Sequence, residues 1–193
     1  MRWERLFDDL EAQLGADDVR ELSAEVADRT RRERAQLGLF ERLTAVLDGP
    51  VLELRVAGVG LVRGVVTGCG PEWVLVDQRG DQPLSVVRDG APDRPVLVAV
   101  AAVRAVSGLS GAAPSGAVAR GFGLGAALRA VSRDRAVVDV VDVDGTLVTG
   151  TLDAVGQDLV EVAEHPGDLP RRSENVVRVV AVPFTALAAV RRR

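Results

Sequence analysis

The 193-residue chain contains no lysine and no tyrosine, one cysteine and one histidine, and only 3% aromatic residues. A single cysteine, Cys69, excludes an intrachain disulfide and fits a reducing compartment, so a cytoplasmic location is expected. No CxxC or HExxH spacing occurs, and one histidine in a loop, His165, supports no Ser-His-Asp or Cys-His grouping. A surface position is expected for it. No uninterrupted apolar run of about 18 residues is present, so no membrane-spanning helix is expected. The opening MRWERLFDDLEAQL is acidic and amphipathic and lacks the apolar centre of a signal peptide. Nothing in these patterns indicates an enzyme, and no cofactor, metal or small-molecule substrate is implied.

What is abundant is valine, leucine, alanine, glycine and arginine. With few aromatics, Val, Leu and Ala must fill the core, and valine-rich segments favour strands because β-branched side chains suit a pleated, half-buried surface. All 24 basic residues are arginine, which a GC-rich coding bias explains more simply than phosphate recognition. The net charge is −4. Residues 1–50 carry the whole acidic excess, and the remainder is balanced, which argues against avid nucleic-acid binding, where phosphate neutralisation dominates affinity.

Trp3, Leu6, Phe7 and Leu10 fall at helical spacing and form an apolar face suited to a partner. Asp18 with Glu21 resembles a capping box for a second helix, whose end is crowded by arginines. Together, residues 1–37 read as a helical arm. Leu39, Phe40, Leu43, Val46 and Leu47 then mark a short helix that stops at Asp48-Gly49-Pro50. Valine-rich strands follow to Val106. The Gly/Ser/Ala/Pro-rich stretch around residues 109–122 reads as a linker, and a second helix-then-strands segment fills 123–193.

The two segments repeat each other. Gly38 aligns with Gly123, Leu43 with Leu128, Gly64 with Gly150, Gly70 with Gly156, Val74 and Val76 with Val160 and Val162, Val98 with Val182, and Val106 with Val190. The offset drifts only between 84 and 86. Glycines inside strand patterns, Gly64 and Gly150, are expected where a strand bends sharply. Asp144-Gly145 is a two-residue hairpin signal.

Asp144-Gly145-Thr146-Leu147-Val148-Thr149-Gly150-Thr151-Leu152 resembles the first Sm motif, and Val182-Pro183-Phe184-Thr185-Ala186-Leu187-Ala188-Ala189-Val190 resembles the closing strands of bacterial Sm-like barrels. The resemblance to the Sm/LSm family covers about residues 124–193, and reaches 39–106 through the repeat. It implies a mainly β protein with N-terminal helices (α+β): two tandem Sm-like (SH3-like) barrels, 38–108 and 123–193, each preceded by a short helix. It also implies edge-strand pairing between subunits, often into rings, and RNA binding. The family's base-binding Asn and its Arg-Gly or Lys-His pair are missing here, where Val155–Val160 and Ala181-Val182-Pro183 stand, so the RNA-binding residues are not carried over.

The expected function is therefore a non-enzymatic binding or scaffold protein that acts through barrel edges and the helical arm on a protein partner or on itself. The alternatives are an RNA-binding Sm-like regulator and a transcription-regulator-like DNA-binding protein. Arg171, Arg172, Arg178, Arg191, Arg192 and Arg193 are the candidate nucleic-acid contacts. Among other groups, Asp139, Asp142, Asp144 and Asp153 read as solvent-facing strand acids, and Cys69, flanked by glycines with no adjacent cation, as an unreactive thiol.

Overall fold

The computed structural model describes residues 25–32, 35–78, 95–109 and 121–193. Residues 25–32 are helical. A short helix, α1 (Leu39–Thr44), precedes β1 (Val51–Val56), β2 (Gly60–Gly70), β3 (Trp73–Asp77), β4 (Pro95–Ala99) and β5 (Val103–Ser107). Helix α2 (Leu124–Arg133) precedes β6 (Val137–Asp142), β7 (Leu147–Val155), β8 (Leu159–Glu164), β9 (Arg178–Pro183) and β10 (Leu187–Arg192). In α2, alanine, leucine and arginine are strong helix formers. Leu124, Ala127 and Leu128 fall on one buried face, and Ser132 fastens the last turn to β7 by donating its hydroxyl to Leu152 O at 3.0 Å.

All ten strands join one antiparallel sheet in the order β5-β1-β2-β3-β4-β10-β6-β7-β8-β9. The expectation of a mainly β protein is met at this level. The hydrogen bonding joins all ten strands into one sheet that is not closed on itself, with β5 and β9 at its ends.

Ladder by ladder, the sheet follows the aligned positions in the sequence. Leu54 faces Val62 and Val106, and Val140 faces Val148 and Val190. Val74 faces Val98, and Val160 faces Val182. Bulges interrupt β2 between Val66 and Gly68 and β7 between Leu152 and Ala154. Two loop bonds recur as well: Ala57 N–H donates to Ala102 O and Val143 N–H to Ala186 O, each at 2.9 Å. The strand glycines are required by close approach. A Cβ on Gly64 would lie 2.2 Å from Asp77 O, and one on Gly150 would lie 2.0 Å from Ala163 O. At the β6–β7 turn, Gly145 has φ +89°, a conformation glycine adopts without strain.

Two apolar cores flank the sheet. Leu43, Leu52, Leu54, Val62, Val74, Val96 and Val98 centre the first, which also takes Val141, Ala188 and Ala189 from the second half of the chain. Leu128, Val138, Val140, Val160, Val162 and Leu187 centre the second, which also takes Trp73, Leu97 and Ala99 from the first half. Strand β4 thus divides its side chains by parity, Val96 and Val98 to one core and Leu97 and Ala99 to the other. A strand buried on both faces reads as a continuous apolar run, which PVLVA is.

Candidate binding surfaces

The seam between the two halves of the sheet is the β4–β10 ladder. Ala189 lies opposite Val98, Val190 opposite Leu97 and Arg191 opposite Val96. Val100 N–H donates to Glu72 O at 2.9 Å, and Arg193 N–H donates to Val137 O at 2.9 Å. Alternation along antiparallel ladders then directs the Val96 and Val98 amides to β3 and the Ala189 and Arg191 amides to β6. Leu97 and Val190 are left facing each other as the hydrogen-bonded pair of the seam. Side chains reinforce it. Glu72 Oε2 accepts from Leu124 N–H at 2.9 Å. Trp73 donates its indole N–H to Phe122 O at 2.8 Å, with ring centroids 5.3 Å apart.

At the two ends of the sheet the same kinds of strand have no neighbour on one side among the described residues. Strand β9 is buried only at Val182, and Val179 is 55% exposed. Strand β5 has no fully buried residue. Phe184 N–H donates to Asp158 O at 2.7 Å, so the Val180 and Val182 amides turn to β8 and the Ala181 amide turns outward. On β5, Val106 pairs with Leu54 as Val190 pairs with Val140, which leaves the Val106 amide facing outward. Unpaired N–H and C=O groups of this kind are templates for strand addition.

The chemistry-bearing side chains are placed differently from the sequence reading. Asp139 is 1% exposed, not solvent-facing. Its Oδ1 accepts from Thr149 Oγ1 at 2.7 Å, and its Oδ2 lies 3.7 Å from Arg191 and 3.6 Å from Arg193. The sequence places Asp139 on a strand but cannot reveal that Arg191 lies directly opposite on β10. His165 is 2% exposed, not on the surface as expected. Its Nε2 lies 2.9 Å from Thr151 Oγ1 and its Nδ1 lies 2.9 Å from Pro166 O. Both ring nitrogens thus have a hydrogen-bond partner inside the protein.

Asp142 organises the Asp144-Gly145 turn. Its Oδ1 accepts from the N–H groups of Asp144 at 2.9 Å and Thr146 at 2.7 Å. Burial acts to raise its pKa, but the hydrogen bonds from Thr146, Asp144 and Gly145 outweigh it and hold the carboxyl below its usual range. Asp153 is held low chiefly by its hydrogen bonds from Arg171. Burial pushes the Cys69 thiol up, against a hydrogen bond with Thr44 at 3.4 Å, so the thiolate is disfavoured.

Each of the six candidate nucleic-acid arginines lies against a carboxylate. Arg171 is bidentate to Asp153, and Arg178 donates to Glu164 at 2.5 Å. Arg172 lies 3.8 Å from Glu174 and Arg192 lies 3.7 Å from Asp134. Arg191 is buried and Arg193 sits over Asp139. The apolar face of Trp3, Leu6, Phe7 and Leu10 lies outside the described residues. Among the described residues no group of three or more His, Cys, Asp or Glu side chains could hold a metal ion, and no helix is long and apolar enough to cross a membrane.

Compared with protein-family models, curated proteins and solved structures, the chain matches none.

Proposed function

We propose that this chain is a non-enzymatic scaffold built from two Sm-like units, 38–108 and 123–193, which binds protein partners by strand addition at the ends of its sheet. In this reading each unit is a strongly bent five-stranded barrel with a leading helix, and residues 1–37 form an accessory arm. The observation that carries the reading is the pair of open edges, β5 and β9, on a sheet whose interior strands are fully paired. Main-chain groups give affinity in such complexes and alternate side chains give selectivity. Pro183, at the end of β9, limits the open stretch, a common guard against indiscriminate edge pairing.

The alternative of RNA recognition has less support. Phosphate binding draws on unneutralised cations, and Arg171, Arg172, Arg178, Arg191, Arg192 and Arg193 each face a carboxylate.

The test compares proteins retained by the full-length chain and by Ala181→Pro, with and without ribonuclease. Proline at 181 removes an amide that points away from β8, so the fold is kept while the edge is blocked. Retention that survives ribonuclease and falls at least tenfold in the variant supports strand addition. Retention lost to ribonuclease, or indifferent to the variant, overturns it.

A further inference from the structure

A polar cleft of about 920 Å³ lies where the last turn of α2 meets the bulge of β7 and the loop after β8. That volume falls within the range of small-molecule sites. Helix α2 and the turn after it supply Ser132, Arg133 and Arg135, the strands supply Thr151, Asp153 and Glu161, and the loop supplies Arg171. No lining residue comes from β5 or β9, so the cleft is separate from the ends of the sheet.

The first half of the chain shows which of these residues the fold does not need. Asp48 and Arg135 share a positive φ, +53° and +48°, and mark the same turn, before β1 and before β6. In the first half Leu47-Asp48-Gly49-Pro50 runs through that turn and carries no arginine. Val65 lies opposite Val51 as Thr151 lies opposite Val137, so Val65 holds the place of Thr151. The matching bulges put Thr67 in the place of Asp153 and Leu75 in the place of Glu161. Both halves keep the turn, the strands and the bulge, yet only the second lines them with arginines and carboxylates.

We infer that this cleft binds a small polyol carrying a single phosphate group, with the phosphate on Arg133 and Arg135 and the hydroxyls on Asp153 and Glu161. Arg133 and Arg135 are exposed and, among the described residues, form no salt bridge. A guanidinium fork matches a phosphate in bidentate fashion. Asp153 is fixed by hydrogen bonds from Arg171 Nε at 2.7 Å and Nη2 at 2.5 Å, which hold its carboxyl below the usual range and keep it ionised. A fixed carboxylate accepts from hydroxyl groups. Thr151, only 3% exposed, has its hydroxyl 2.9 Å from His165 Nε2, and Ser132 donates its hydroxyl to Leu152 O at 3.0 Å. Both oxygens are thereby held in place and retain acceptor capacity. The carboxylates also set the selectivity. They repel a second phosphate, which disfavours a nucleic-acid strand with a charge at every nucleotide.

The experiment is isothermal titration calorimetry on the full-length chain. The probes are glucose 6-phosphate, ribose 5-phosphate and glycerol 3-phosphate, set against inorganic phosphate, glucose and a single-stranded RNA oligomer. We expect at least one of the three polyol phosphates to bind at least tenfold more tightly than inorganic phosphate, glucose or the RNA. Arg133→Ala/Arg135→Ala, shown to be folded by circular dichroism, should weaken that binding at least tenfold. Glu161→Leu copies the apolar residue of the first half, so it keeps the strand. It should weaken the polyol phosphate several-fold and leave inorganic phosphate unchanged. The proposal is overturned if none of the three polyol phosphates binds at millimolar concentration, or if binding is indifferent to the paired arginine variant. Inorganic phosphate or the RNA binding as tightly as the polyol phosphates overturns it as well, and that comparison needs no variant. Equal loss of polyol phosphate and inorganic phosphate in Glu161→Leu also counts against it, since the carboxylate would then not be reading hydroxyls.

Discussion

The seam strands and the end strands of this sheet carry nearly the same sequence pattern in opposite surroundings. PVLVA in β4 and LAAVRR in β10 are buried from end to end except at their outermost residues, whereas RVVAVP in β9 is mostly exposed and VRAVS in β5 is half-buried to exposed. The difference does not come from the strands themselves. It comes from what lies beside them, since β4 and β10 have each other, while β9 and β5 each have a strand on one side only among the described residues. Edge character in this chain is thus a property of position in the sheet.

The largest effect that would sharpen this comparison concerns the polar residues beside the seam. Asp139 on β6 is buried beside Arg191 and Arg193, while Glu53, its counterpart on β1, is only half-buried, 3.6 Å from Arg63. Asp139→Ala leaves the buried Arg191 without its carboxylate and is expected to cost about 3–5 kcal/mol. Glu53→Ala is expected to cost less than about 1 kcal/mol. Urea denaturation of both variants measures the gap, and equal costs would break the claim that the seam differs energetically from the end.

A smaller effect tests whether the two halves are built alike. Gly64→Ala and Gly150→Ala each drive a methyl into a carbonyl of the neighbouring strand, and overpacking of this kind costs about 1–3 kcal/mol. The two losses should agree within about 1 kcal/mol, close to the spread expected for one mechanism in two contexts. A neutral Gly150→Ala would show that β7 does not bend as β2 does.

The smallest effect is on the acid limb of stability. Asp153 has its pKa lowered in the folded state by Arg171, so it binds protons less readily there than in the unfolded chain. Its contribution is present above the unfolded carboxyl pKa and is lost as pH falls through the lowered folded value. Arg171→Ala should therefore lower stability slightly at neutral pH and flatten the fall in stability as pH drops below about 4. Thermal denaturation across that range reads it, and an unchanged acid limb would contradict the pairing.

Much of the fold was legible in the residues because it depends on local pattern. The glycines at 64 and 150, the valines at 98 and 182, and the Asp144-Gly145 turn fall where the alignment puts them. The ordering of strands across the seam was not legible. Nothing in PVLVA says whether its second face meets water or another half of the chain, since that depends on a contact about ninety residues away, as from Leu97 to Val190. For the same reason Asp139 and Arg191 read as surface charges, and His165 as a loop residue, until β7 and β10 were placed around them. The candidate edges shared that fate: the alignment marks Val106 and Val182 as repeat positions, but only the sheet order shows that β5 and β9 stand at its ends among the described residues.

Amide exchange measured by NMR on the full-length chain tests the open-edge claim most directly. In dilute solution the Leu97 and Val190 amides should exchange slowly, as groups paired across the seam, while the Ala181 and Val106 amides exchange orders of magnitude faster. Slow exchange at Ala181 in the dilute monomer, or fast exchange at Val190, would contradict the account.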